Sequence, residues 1–302
     1  MQSNSLIDRL ANPLAFTAVL IVWSTTPLAV TKSIGQTPLT SATARMVVGV
    51  LFCLFIIFIT KHTLPFNRQT LRLYGISAFS IFASMSLIYL AAETIPSGWI
   101  AVIFGLSPIV TGLFALPYET EAKMDAVKFC GLVLGCFGLY MVFSAGIEFS
   151  QVSSSGIFYV LGAVVTASAS SVAMRQLTQH VDVSGMQLTT GGVLIAIPFF
   201  LLSALLSENV SQVSFTREEL VAILYLGFIG TGIGFTCYFF LLKRMAASRV
   251  ALITLVTPIS ALAIGAWVNN EPLLPGIWLG ATCVTVGILL YEFKPKLGLR
   301  KL

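Results

Sequence analysis

Leu-Ser-Pro-Ile-Val at residues 106–110 and Val-Thr-Pro-Ile-Ser at residues 256–260 are two copies of one motif, and their spacing decides the fold. Pro108 and Pro258 lie 150 residues apart in a chain of 302 residues. An acidic residue and then two glycines seven positions apart follow each copy with nearly the same separation: Glu121 and Glu271, Gly131 and Gly280, and Gly138 and Gly287. Self-similarity at a long, fixed separation indicates a duplicated chain.

The composition indicates that most of the chain lies within a lipid bilayer. It is 57% hydrophobic and 10% charged, whereas soluble domains carry about 25% charged residues. An α-helix needs about 20 mostly apolar residues to cross a bilayer. Ten such stretches are predicted, at residues 13–32, 38–60, 71–92, 96–117, 125–145, 155–175, 184–206, 218–241, 247–268 and 273–293. The predicted fold class is an all-α integral membrane protein, with five helices in each of two repeats, residues 13–145 and residues 155–293.

The positive charges predict how the chain is oriented. If the N-terminus is cytoplasmic, 14 of the 17 lysines and arginines fall in cytoplasmic loops and tails, and only Lys32 and Arg217 fall outside. Because cytoplasmic loops carry the excess of basic residues, both termini are predicted to be cytoplasmic. Five is an odd number, so the second repeat enters the membrane from the opposite side. The expected architecture is ten transmembrane helices as two inverted repeats, as in many secondary transporters.

Several classes of function lack the residues that they need. The five cysteines lie singly in apolar segments and the two histidines in loops, so no metal site is expected. No nucleophile–base pair or carboxylate pair lies within a predicted helix, so we assign no catalytic residue and do not expect an enzyme. The glycine-rich residues 230–234 lie in an apolar helix without a preceding strand, which argues against a nucleotide cofactor. No cofactor and no nucleic-acid partner is expected.

Two glycine pairs, Gly131/Gly135 and Gly230/Gly234, have the GxxxG spacing. Glycines four positions apart let two membrane helices approach closely. The contact that they predict lies either within one chain or between the subunits of a homodimer.

Ser107–Pro108 and Thr257–Pro258 are candidates for a substrate cavity because they lie near the predicted middle of the bilayer. A proline inside a helix removes one backbone hydrogen bond and frees a carbonyl group, which must find a partner in protein or in cavity water. We favour a kinked helix whose hydroxyl groups face the substrate, because the feature recurs in both repeats. The alternative is a bent helix in which each hydroxyl group bonds to its own backbone.

Arg45 is the only charged residue well inside a predicted helix. It follows Pro38 by seven residues, which places it roughly 10 Å deep at 1.5 Å per residue. Charges within a membrane mark functional sites by default. Arg45 either holds a substrate carboxylate or phosphate, or lines an outer vestibule. The alternatives are a side chain that reaches the headgroups, or one that bonds to helix-end carbonyls.

Aromatic side chains with a polar tip form a third set of candidates. Trp23 and Ser24 are adjacent in the first helix, and Tyr89 and Tyr238 occupy nearly equivalent places in the third and eighth helices. Such side chains suit an amphipathic substrate, which they contact by stacking or cation–π interaction. The alternative is an aromatic belt at the membrane interface or plain packing.

Together these residues resemble a known family. Trp23-Ser24, Lys32, Pro38, Arg45 and the two Ser/Thr-Pro helices are similar to the EamA repeats of the drug/metabolite transporter superfamily. The resemblance covers residues 13–145 and 155–293, and it implies ten helices around a central cavity. Members mostly export amino acids, nucleosides, other metabolites or drugs, while some relatives import. The cavity candidates are Trp23, Ser24, Arg45, Tyr89, Ser107, Pro108, Tyr238, Thr257 and Pro258.

The prediction is a secondary transporter of the cell inner membrane that exports a small organic metabolite, an amino-acid-like compound or a drug by alternating access. The alternatives are an importer of the same fold, and a channel or a non-transporting membrane protein. Small multidrug pumps related to this superfamily exchange protons at a glutamate embedded in the first helix. Here all 12 carboxylates lie in predicted loops or near helix ends, which leaves facilitated transport or coupling through a peripheral group such as Glu93.

Overall fold

The computed structural model describes residues 6–35, 37–118, 126–145, 154–207, 214–255, 257–269 and 275–292. Helices account for most of these residues and no strand occurs among them, which confirms the all-α prediction for this part of the chain. Glu121, Val256 and Glu271, which belong to the repeated pattern, lie outside the described residues, and so does the side chain of Pro258.

The helices follow one another with short connections. In chain order they are α1 (Leu6–Ser33), α2 (Pro38–Ile59), α3 (Arg68–Ala92), α4 (Ser97–Phe104), α5 (Ser107–Ala115), α6 (Ala126–Ala145), α7 (Ser154–Thr178), α8 (Gly185–Ser207), α9 (Arg217–Tyr225), a π-helix (Leu226–Phe235), α10 (Thr236–Arg244), α11 (Ala247–Ala251), a 3₁₀-helix (Leu252–Leu255), α12 (Thr257–Asn269) and α13 (Pro275–Glu292).

Seven stretches of the described residues are long and apolar enough to cross a membrane. They are Leu10–Ser33, Pro38–Ile59, Arg68–Ala92, Ser97–Ala115, Ser154–Thr178, Gly185–Ser207 and Arg217–Arg244. The other three predicted spans hold the shorter apolar helices Phe129–Gly138, Ile259–Val268 and Pro275–Gly287, and their crossing of the membrane stays a prediction. Large apolar side chains such as Phe58 and Trp267, 82% and 88% exposed, cover the surface, as expected of helices that face lipid.

The sequence predicts one helix over residues 96–117, whereas the structure has α4 and α5 separated by a turn at residues 105–106. Pro108 lies in the first turn of α5. Proline fits there because the first N–H groups of a helix have no partner within it. Gly105 and Leu106 keep α-helical backbone angles, so Pro108 follows an interruption within one apolar span, Ser97–Ala115, where the sequence predicted a kinked helix. Thr257 and Pro258 likewise begin α12, after the 3₁₀-helix.

The predicted helix over residues 218–241 also differs from a regular α-helix. Thr216 and Glu219 form a capping box that starts α9, and the ten residues of Leu226–Phe235 then continue as a π-helix. Four of these ten residues are glycines, which are poor α-helix formers. Segments of π-helix are rare and frequently lie at functional sites.

Helices from the two halves of the chain pack against each other throughout the molecule. α3 packs against α7 and α8, and α2 packs against α8 and the π-helix. α4 contacts α12, α5 contacts α7 and α11, and α1 contacts α9, the π-helix, α10 and α12. α6 packs chiefly against α13. Side chains that point towards the middle, among them Leu188, Leu226 and Phe200, are fully buried.

Candidate functional site

A cavity lies between the two halves of the chain, and we call it the central cavity. It contains about 110 Å³ in which the centre of a water molecule can lie, room for several waters by the usual requirement of about 10–15 Å³ each. Its walls come from helices of both halves. The lining residues are Trp23, Thr26, Pro27, Arg45, Ser80, Ser84, Met85, Ile88, Ile100, Ala101, Phe104, Ala167, Phe235, Tyr238, Thr254 and Thr257.

A smaller cavity of about 30 Å³, the lesser cavity, adjoins it. Trp23, Phe104 and Tyr238 line both cavities, so they form an aromatic layer between the two. The rings of Trp23 and Tyr238 are 5.1 Å apart between centroids and inclined by 45°. Beyond this layer the lesser cavity has several hydroxyl groups, from Ser107, Thr111, Ser168 and Ser171, while Thr254 lines both cavities.

The two cavities follow each other along the helices. On α4 and α5, Ala101 lines the central cavity, Phe104 lines both, and Ser107 lines the lesser cavity. The second half shows the opposite order along the chain, because Ala251 lines the lesser cavity and Thr257 the central one. The central cavity is therefore nearer the end of the bundle where α4 starts, and the lesser cavity is nearer the end where α11 starts.

Arg45 borders the central cavity although only 2% of it is exposed. Its Nε donates a hydrogen bond to Oγ1 of Thr231 at 3.1 Å, while Nη1 is buried without a hydrogen-bond partner among the described residues. None of the described residues that line this cavity is acidic. A buried cation without a counter-ion is costly, so this side chain needs an anion, a water or a dipole from the cavity.

The π-helix is what brings Thr231 to Arg45. A Cβ atom added to Gly49 of α2 would lie 2.5 Å from Cγ2 of Thr231, and one added to Gly230 would lie 3.0 Å from Nη2 of Arg45. The glycines let α2 and the π-helix approach closely, which encloses the guanidinium group between them. The position of Arg45 is thus set by packing on both sides.

Of the nine predicted site residues, four line the central cavity: Trp23, Arg45, Tyr238 and Thr257. Tyr238 and Ser171 also both line the lesser cavity. The structure brings these four together from α1, α2, α10 and α12.

The remaining five candidates lie elsewhere. Ser24 is buried and donates to the carbonyl of Leu20 at 2.9 Å. Tyr89 is fully buried, and its hydroxyl group has no partner among the described residues. The other three candidates belong to the two motifs. Ser107 lines the lesser cavity, and its hydroxyl group donates to the carbonyl of Phe104 at 2.6 Å. Pro108 is buried away from both cavities, and Pro258 is the second residue of α12.

Several lining residues were not singled out by their sequence. Pro27 lies inside α1 four residues after Trp23, and a proline within a helix was the signal already used for Pro108. Ser80, Ser84 and Ile88 recur every four residues on α3, so they share one helix face. Two hydroxyl groups on one face of an apolar helix are the signal that would have found this wall.

The GxxxG glycines make contacts within the chain. A Cβ atom added to Gly287 would lie 2.6 Å from both the carbonyl oxygen of Gly131 and the amide nitrogen of Gly135. Gly230 faces Arg45, and an added Cβ at Gly234 would lie 3.0 Å from Cγ1 of Val22. Both pairs thus allow close approach inside one molecule, while a homodimer stays a prediction.

Comparisons with known proteins agree on one family. The profile of the EamA-like transporter family matches residues 9–144 and residues 154–293. The uncharacterized transporter YoaV of Bacillus subtilis is 25% identical over 93% of this chain and 96% of its own length. A protein of Escherichia coli described as a probable amino-acid metabolite efflux pump is 24% identical over 91% of this chain and 92% of its own length.

A solved crystal structure has the same fold. It superimposes with a TM-score of 0.73 over 93% of this chain and 96% of its own, at 17% sequence identity. At that identity the likeness concerns the fold alone.

Proposed function

We propose that this chain, which belongs to the EamA-like transporter family, is a secondary transporter that moves a small organic metabolite, an amino-acid-like compound or a drug by alternating access. It is a multi-pass membrane protein whose relatives are named transporters. The central cavity carries the proposal, because both halves of the chain contribute to its walls. A site between two repeats is where secondary transporters bind substrate.

The proposal includes ten transmembrane helices in two inverted repeats, residues 13–145 and residues 155–293. The pattern of helix contacts supports it. Several prominent contacts have a counterpart in which the halves exchange roles: α2 on the π-helix matches α8 on α3, and α1 on α12 matches α7 on α4 and α5. A two-fold relation between the repeats requires this pairing.

We propose that substrate binds in the central cavity against Trp23, Arg45, Tyr238 and Thr257. The aromatic layer of Trp23, Phe104 and Tyr238 closes the path towards the lesser cavity. With cytoplasmic termini, as the basic residues predict, α4 starts at the outer surface. The central cavity is then the outward-facing part of the path, and export ends when the substrate leaves it on the outer side of the inner membrane.

Metabolite profiles test the substrate and the direction together. Concentrations in medium and cytoplasm are compared between strains that overexpress the protein and strains that lack it. Export predicts a solute that rises in the medium with expression and accumulates inside without it. The opposite gradient would identify an importer.

A matched pair of variants ties such a gradient to the central cavity. Ala167 lines the cavity on α7, whereas Val165, two residues before it, is 46% exposed on the surface of the same helix. Ala167→Trp fills the cavity and should abolish transport, while Val165→Trp should leave it intact. In liposomes, saturable counterflow that Ala167→Trp blocks supports a carrier. Open-pore conductance without counterflow would instead indicate a channel.

A further inference from the structure

The central cavity carries an unbalanced charge. Among the described residues that line it, Arg45 alone is charged, and the others are apolar or carry a hydroxyl group or an indole. Neither of the ion pairs seen among the described residues, Lys32–Glu218 and Lys243–Asp182, involves this arginine. The central cavity therefore holds one positive charge that no carboxylate of its described lining neutralises.

The surroundings of Arg45 fix that charge in place. Nε is bonded to Thr231, so the guanidinium group cannot turn away without breaking a buried hydrogen bond. On the side of the π-helix the guanidinium group packs close to Gly230, where an added Cβ atom would lie 3.0 Å from Nη2. Thr257 is the first residue of α12 and lines the same cavity. A helix N-terminus adds partial positive charge where it meets a site.

The rest of the lining suits an apolar body. Trp23, Phe104 and Tyr238 contribute aromatic rings to the lining, and Met85, Ile88 and Ile100 contribute thioether and aliphatic groups. Aromatic and thioether groups pack well against rings and aliphatic chains. An amphipathic solute with an apolar body and one polar end therefore fits the cavity.

The positive charge of Arg45 indicates which polar head group the substrate carries. A carboxylate would neutralise Arg45 and form charge-assisted hydrogen bonds with it. The ammonium group of an amino acid would find no carboxylate among the described lining residues, and an amine would meet Arg45 with the same sign. A phosphate monoester carries close to two negative charges and would leave one of them without a partner.

We propose that the substrate class is an organic monocarboxylate with an aromatic or aliphatic body, and that Arg45 binds its carboxylate. This assignment rests on the proposed transport function and narrows it. Among amphipathic solutes of equal size, the protein discriminates by the charge of the head group. An uncharged acid loses the pairing with Arg45, whereas a zwitterion keeps the pairing but leaves its ammonium group without a counter-ion among the described lining residues.

A series of compounds with one phenyl body tests the assignment on the wild-type protein. 3-Phenylpropionate, phenylalanine, 2-phenylethylamine and 3-phenylpropanol differ chiefly in the head group, and hexanoate replaces the ring by an aliphatic chain. Binding is measured by isothermal titration calorimetry on the full-length protein in detergent near neutral pH. We expect the two acids to bind at least about tenfold more tightly than the other three compounds, as for other desolvated charge pairs.

Inorganic phosphate is the last compound whose binding is measured in this series. Phosphate that binds as tightly as the acids would reduce the site to one for any small anion and overturn the assignment. Equal affinities for acid, amino acid and alcohol, or tighter binding of the amine, would overturn it as well. If neither acid binds, the assignment is overturned too.

Variants connect the discrimination to Arg45. Arg45→Gln should abolish the preference for acids, and Arg45→Lys should retain part of it because the charge remains. Arg217→Gln, at an exposed position that starts α9, removes an equal charge and should leave the preference unchanged. The wild-type series stays decisive even where Arg45→Gln fails to fold. If the acids do not bind but the protein shows counterflow of another solute, and Ala167→Trp blocks that counterflow, then the carboxylate assignment is wrong and the transport function still holds.

Discussion

The contact between α6 and α13 is symmetric, whereas the cavities are not. An added Cβ at Gly138 would lie 2.6 Å from both a carbonyl oxygen and an amide nitrogen of α13, and one at Gly287 would meet α6 at the same two distances. In contrast, Thr257 lines the central cavity while its counterpart Ser107 lines the lesser one. Tyr238 lines both cavities, and Tyr89, at the equivalent place, is buried and lines neither.

The symmetric contact is a feature that follows from the duplication, whereas the unequal cavities are a feature that a transport cycle requires. Two related sequences give equivalent packing where both copies do the same structural work, as at α6 and α13. A carrier that opens to one side at a time must place its two repeats differently in any one state. The unequal positions of Ser107 and Thr257 fit one such state, and the roles of the two repeats should exchange in the other.

Leucine at either glycine of the α6–α13 contact should have the largest effect. Gly138→Leu and Gly287→Leu place a side chain against the opposite backbone, and overpacking costs about 1–3 kcal/mol even where side chains can yield. Because the two contacts are equivalent, both variants should lower folded yield and melting temperature by similar amounts. Size-exclusion profiles and thermal unfolding in detergent measure this.

Gly75 provides the control for those variants. No atom lies within 4 Å of a Cβ atom added there, so Gly75→Leu on α3 should be tolerated. A large loss for only one of Gly138→Leu and Gly287→Leu would show that the contact is not symmetric in the membrane.

The two tyrosines should respond unequally to loss of the hydroxyl group. Tyr238→Phe removes a hydroxyl group from the aromatic layer, where substrate is proposed to bind, and a typical hydrogen bond is worth between about two- and tenfold in an equilibrium. Transport should fall by that order. Tyr89→Phe removes a buried hydroxyl group that has no partner among the described residues, so it should leave transport unchanged and stability equal or higher. Initial rates of counterflow and melting temperatures separate the two, and equal losses of rate would refute the unequal roles.

The sequence was enough to predict the helices and part of the lining of the central cavity. Apolar stretches of membrane length and the 150-residue repeat predict an all-helical chain. Arg45 could be found because a charge deep in an apolar helix is rare. Trp23, Tyr238 and Thr257 were among the predicted candidates that line the central cavity.

The rest of the site depends on which face of each helix points inward. Membrane helices that are apolar all round give little indication of their buried face, so Ser24 and Tyr89 could not be separated from Trp23 and Tyr238. The motif predicted a kink at Pro108, but it did not show that the helix is interrupted at residues 105–106. The lesser cavity arises only from the packing of several helices.

Removal of single hydroxyl groups should give a smaller, side-specific effect. Thr257→Val changes the central cavity and Ser107→Ala the lesser cavity, so each should raise the apparent KM about two- to threefold from one side of the membrane only, within the range for one neutral hydrogen bond. Right-side-out and inside-out vesicles provide the two sides. Both variants raising KM from the same side would contradict the separate roles of the two motif copies.

The ion pair beyond the lesser cavity should have the smallest effect. Nζ of Lys243 lies 2.7 Å from Oδ1 of Asp182, which is fully exposed, and this neighbour holds the pKa of the Asp182 carboxyl below its usual value. A lowered pKa in the folded state stabilises the protein above the pKa of the unfolded chain, and the contribution disappears as pH falls through the folded-state value. Asp182→Asn should therefore lower the melting temperature slightly near neutral pH and not at all in acid, because exposed pairs contribute little. A difference in melting temperature between wild type and Asp182→Asn that grows as the pH falls would have the wrong sign for this pair. A large difference at neutral pH would mean that the ion pair, in addition to packing, holds this end of the bundle closed.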